Sequence, residues 1–128
     1  MLFAAIVFIG AGIGGVIRYG VSLAAIRLLG EAFPFGTFAI NVVGSFVMGA
    51  VAAAFIAKIG FFGMPAWRLF LTTGVLGGFT TFSAFSLDAA YLWERDEFVL
   101  MALYVGGSVL VSLIAVFAGL FLVRSLAG

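Results

Sequence analysis

Four long stretches of this chain carry no charged residue: 1–17, 32–57, 69–87 and 98–123. A helix needs about 20 predominantly apolar residues to cross roughly 30 Å of hydrocarbon, so each stretch marks a candidate crossing. No other solvent suits the chain. Of its 128 residues 66% are hydrophobic and 9% charged, too apolar to dress a surface against water. The expected fold is an all-α membrane protein of one domain, residues 1–128, with four transmembrane helices at about 2–29, 35–58, 67–93 and 98–123. Gly30–Pro34, a Gly/Pro-bearing loop over 59–66 and the acidic turn Glu94–Glu97 connect them. Trp67 and Trp93 bracket the third helix as interface anchors do. The first cation is Arg18, so the opening run has no basic flank and reads as a retained helix rather than a cleaved signal.

The chain has no cysteine and no histidine, which removes disulfides, thiolate chemistry, imidazole ligands and the commonest general base. An enzyme is not expected. Net charge is +1 and the cations stand singly, which indicates no nucleic-acid surface and no polybasic lipid patch. Partners are to be sought in the membrane: lipid and other membrane helices.

The third helix is too long for its task. From Trp67 to Trp93 it counts 27 residues, about 40 Å as a straight helix. Gly74, Gly77 and Gly78, then Thr80 and Thr81, sit in its middle, and each glycine weakens a helix by about 1 kcal/mol relative to alanine. A break is expected there, and unwound backbone at membrane depth survives only where protein buries it or a wet cavity receives it, which points to an ion site. Close helix packing through small residues is the competing explanation.

With four spans, Lys58, Arg68 and Arg124 fall on one side and Arg27 and Arg95 on the other, with Arg18 set aside inside the membrane. Three against two gives the positive-inside rule almost no grip. Insertion in both orientations follows naturally, and so does an antiparallel pair; a single orientation fixed by one charge stands beside it.

The few polar residues inside the spans form lines. Thr37, Asn41 and Ser45 recur at i, i+4 and i+8 on the second helix, and Tyr104, Ser108 and Ser112 repeat the spacing on the fourth. Facing stripes of hydroxyls and an amide make a track of hydrogen-bond donors; interhelical hydrogen bonding, worth about 1 kcal/mol per contact, is the plainer alternative. Phe82 and Phe85, spaced i, i+3, can turn positive ring edges toward an anion. Packing is the ordinary use of any two among 16 phenylalanines. Arg18 and Asp88 are the charges within spans, each a functional candidate that can instead reach interfacial water. Gly10, Gly14, Ser45 and Gly49 supply small faces for close packing.

The chain resembles the Fluc (CrcB) family of fluoride channels along nearly its whole length. The resemblance is carried by Gly14-Gly15-Val16-Ile17-Arg18-Tyr19, by Gly36-Thr37-Phe38-Ala39-Ile40-Asn41-Val42-Val43-Gly44, by the specific stretch Thr73-Gly74-Val75-Leu76-Gly77-Gly78-Phe79-Thr80-Thr81-Phe82-Ser83-Ala84-Phe85-Ser86, and by Tyr104, Ser108 and Ser112. The resemblance implies an antiparallel, dual-topology homodimer in a prokaryotic inner membrane, with two pores that pass fluoride passively out of the cell. It further implies that Asn41, Phe82 and Phe85 contact fluoride, that Tyr104, Ser108, Ser112, Thr37 and Asp88 continue the pathway, and that Arg18 lies toward a vestibule. Gly77 and Thr80 would offer main-chain carbonyls to a structural sodium ion at the dimer interface. Ala84 and Asp88 depart from the Thr and Glu that members often carry. A small dual-topology, proton-coupled exporter of cationic compounds is the alternative; it needs a carboxylate deep in the first helix, where this chain has none.

Overall fold

The computed structural model describes all 128 residues and contains helices and turns but no strand. Helix α1 spans Leu2–Leu29 and α2 Phe35–Ile56. A 3-10 turn at Gly60–Gly63 leads to α3 at Pro65–Leu69, a π-helical stretch at Phe70–Leu76, α4 at Gly77–Phe79 and α5 at Phe82–Glu94, after which α6 runs over Phe98–Ala127. Taken as one crossing, Pro65–Glu94 joins α1, α2 and α6 to make four segments long and apolar enough to span a membrane.

Local chemistry explains where these boundaries differ from the sequence expectation. α2 stops at Ile56 rather than 58 because Lys58 turns left-handed at φ 55 and the Ile59 N–H returns to the Ala54 carbonyl at 3.0 Å. That wrap satisfies carbonyls the helix end would otherwise leave bare. Asp96 (φ 59) closes α5 in the same way, with the Glu97 N–H on the Leu92 carbonyl at 2.9 Å. The expected loop over 59–66 is partly helical, and α3 opens on Pro65, where a missing N–H costs nothing. α6 continues past the expected 123 to Ala127, placing Arg124 in its last turn at the negative end of the helix dipole.

Glycines set the distances between helices. A Cβ on Gly10 would stand 2.7 Å from the Phe70 carbonyl oxygen and 3.0 Å from Gly74 Cα, and one on Gly14 would collide with the Val75 carbonyl. Gly78 meets the Ala11 carbonyl in the same seam. On the other side Gly49 lies against the Val116 carbonyl and Gly119 against that of Phe46, which locks α2 to α6. Because lipid supplies no hydrophobic drive between helices, such close backbone approach is a main source of their attraction. Gly10, Gly14 and Gly49 therefore pack, as expected, whereas Ser45 turns out to line a groove.

Both explanations of the third span hold, at different residues. Gly74 and Gly78 serve packing, while the break itself falls on two threonines: Thr80 has ψ 156 and Thr81 has φ −153 and ψ 126, both extended. The ladder has already widened upstream, where the Gly77 N–H reaches back to the Thr72 carbonyl. β-Branched residues accept extended backbone readily. Gly44 on α2 makes the room, since a Cβ there would strike Thr80 Cγ2.

Acidic side chains are segregated along the bundle, whereas cations stand at both ends. Glu31, Asp88 and Glu94 line a cavity of about 600 Å³ at the end where the α1–α2 and α5–α6 connections meet. Asp96 and Glu97 sit in the turn beside it, which accounts for all five carboxylates of the chain. Lys58, Arg68 and Arg124 occupy the opposite end.

Candidate functional site

The broken third span is held by one side chain. Asn41 on α2 donates from Nδ2 to the Thr81 carbonyl at 3.0 Å, and its Oδ1 accepts the Thr81 N–H at 2.9 Å. The amide thus pairs with the interrupted backbone as a neighbouring strand would, satisfying polar groups that hydrocarbon would leave bare. Asn41 carries a second Nδ2 hydrogen, which this pairing leaves unused.

Around the clamp runs a groove of about 400 Å³ between α2, α6 and the break. Asn41, Phe82, Phe85, Ser108 and Ser112, predicted separately on three helices, all line it, together with Thr80. Ser108 and Ser112 have buried Oγ atoms without any hydrogen-bond partner. A helical serine commonly bonds back to the carbonyl one turn earlier, and a buried hydroxyl that does not is an open donor and acceptor. Phe85 is buried and Phe82 is 77% exposed, their ring centroids 5.5 Å apart.

The other predicted residues lie toward the acidic end. Thr37 and Asp88 line the larger cavity there. Tyr104 stands between the two spaces, fully buried, its ring 5.1 Å from Phe85 and edge-on to Phe33 at 5.5 Å. Its hydroxyl donates to Asp88 Oδ2 at 3.1 Å. Arg18 lines neither cavity; it is half-buried on α1 with an unpartnered Nε.

The break also changes the fate of two carbonyls. In an unbroken helix the Gly77 carbonyl would accept from the N–H of Thr81, and that of Thr80 from Ala84. Here Thr81 N–H goes to Asn41, and Ala84 N–H goes to Thr81 Oγ1 at 3.2 Å. Both oxygens lose their helical donors. Hard cations take such oxygens as ligands, so the donor set fits a sodium ion in kind.

Sequence reasoning missed two contributors. Thr81, the N-cap of α5, carries the ordinary helix-start signal of a threonine after a breaker, which went unused beside the glycines. Phe33 extends the aromatic contact with Tyr104 from a loop, where no periodicity marks it.

Residues 5–120 match the family model described as CrcB-like protein, Camphor Resistance (CrcB). This chain belongs to the CrcB family. The CrcB match takes in every residue of the groove, the break and the acidic cavity. Among relatives, the chain is 54% identical over 121 residues to "Fluoride-specific ion channel FluC 2" of Nitrobacter hamburgensis, covering 94% of this chain and 96% of the relative. It is 54% identical over 125 residues to "Fluoride-specific ion channel FluC" of Methylobacterium nodulans, covering 97% and 98%. A third protein of that name, from Rhodopseudomonas palustris, is 52% identical over 121 residues, covering 94% and 96%. These CrcB similarities run from end to end rather than through one motif.

Proposed function

We propose that this chain is a fluoride-selective passive channel of a prokaryotic inner membrane, not an enzyme, in keeping with its family and the names of its relatives. The observation that carries the pathway is the pair of unpartnered buried hydroxyls, Ser108 and Ser112, facing the Asn41 groove. Fluoride holds water strongly, so a pore must replace its shell with several donors while offering no single deep trap. Two hydroxyls, the spare Asn41 N–H and the edges of Phe82 and Phe85 provide that, and no cationic side chain lines the groove. Membrane potential then suffices to drive the anion outward.

The working unit is an antiparallel homodimer with two pores. Supporting this are the near-even cation count of the two ends, the exposure of Phe82 and the two redirected carbonyls at mid-span, which hydrocarbon alone would not satisfy. Gly77 and Thr80 from each copy would hold a sodium ion between them; bound there, it supplies positive charge to oxygens that lack donors. Asp88, near a mouth and bonded by Tyr104, is poorly placed for the deep proton-exchanging carboxylate of a cationic-compound exporter.

Liposomes carrying the purified protein are expected to release fluoride when loaded with potassium fluoride, and to retain chloride when loaded with potassium chloride, once a potassium ionophore balances charge. Impermeability to fluoride, or equal release of chloride, defeats the proposal. Ser112→Ala separates conduction from packing. Removing an unpartnered hydroxyl should leave melting unchanged or slightly raised while efflux drops roughly fivefold, the effect of one lost hydrogen bond of about 1 kcal/mol. Lower stability with unchanged efflux would assign Ser112 to packing.

A further inference from the structure

We infer that the Thr81 side chain is a positioning residue for the cation site: its hydroxyl keeps the Thr80 carbonyl available by occupying the N–H that would otherwise claim it. The inference rests on the sodium reading above. Ala84 is the third residue of α5, and its N–H is one of the donors that every helix start leaves without an internal partner. Thr81 Oγ1 accepts it at 3.2 Å. Without that acceptor, the nearest way to satisfy the N–H is to extend α5 backward by a residue, which directs Ala84 onto the Thr80 oxygen. Asn41 performs the matching task upstream by holding the Thr81 N–H away from Gly77. The two ligand oxygens are thus released by two different side chains, both of which line the groove, and Thr81 spends its hydroxyl on the start of α5.

Thr81 itself does not contribute a cation ligand in this scheme, so its effect must pass through the main chain. Thr81→Val keeps the shape and the preference for extended backbone but removes the acceptor. Thr81→Ser and Thr81→Asn keep a capping oxygen.

The test is thermal melting of the purified dimer across a sodium chloride series, with choline chloride holding ionic strength constant. The wild-type midpoint sodium concentration should be matched by the Ser and Asn variants and raised about fivefold in Thr81→Val, the scale of one lost cap. A sodium-responsive wild type with an unchanged Val midpoint overturns the role of Thr81 alone. A wild type whose melting ignores sodium overturns the cation reading and this inference with it. Should the valine protein not assemble, Thr81→Ala against Thr81→Ser gives the same comparison, and equal midpoints for that pair again overturn the role.

Discussion

Asn41→Asp should abolish fluoride efflux from loaded liposomes, lowering it by at least about a hundredfold. The substitution keeps the acceptor for the Thr81 N–H but replaces the Nδ2 donor with oxygen, so a carboxylate then faces the Thr81 carbonyl across 3.0 Å. It also sets a negative charge beside the route of an anion. At an effective dielectric constant near 20, two unit charges about 4 Å apart repel by about 4 kcal/mol, more than enough for the stated loss. Efflux at the wild-type rate would remove Asn41 from the pathway.

Gly14→Leu should prevent recovery of a folded protein. The new Cβ would collide with the Val75 carbonyl and lie 2.8 Å from the Phe79 N, and backbone cannot step aside as a flexible side chain can. Separating α1 from the third span would also forfeit the Gly10–Gly74 and Gly78–Ala11 contacts. Gly12→Leu is the control, because nothing lies within 4 Å of a Cβ there although it is on the same helix. The expected readout is a monodisperse peak in size-exclusion chromatography for Gly12→Leu and none for Gly14→Leu. Equal peaks would show that the seam tolerates side chains and does not fix the helix pair.

The four crossings are legible in the sequence because hydrocarbon imposes one length and one polarity on every span. Asn41, Ser108 and Ser112 were legible for the same reason, since a polar group in an apolar run stands out. The location of the break was harder. Glycines at Gly74, Gly77 and Gly78 signal both a weak helix and a tight contact, and only the position of α1 assigns Gly74 and Gly78 to contact, leaving the kink to Thr80 and Thr81. The clamp by Asn41 spans 40 positions in sequence, so no local pattern could announce it. The terminal wrap at Lys58 escaped for a different cause, because lysine is not a usual choice for left-handed backbone, whereas Asp96 is of a type enriched there and falls within the acidic turn that the sequence marks.

The crowding of all five carboxylates at one pole gives a lone subunit a strong electrical sense of direction. The proposed second subunit, set head to tail beside it, would erase that sense, because each membrane face would then present one sour rim and one basic rim. Rectification would have no structural source in such a pair: opposite voltages of equal size would meet the same landscape, leaving the cell's own gradient to decide which way the halide goes.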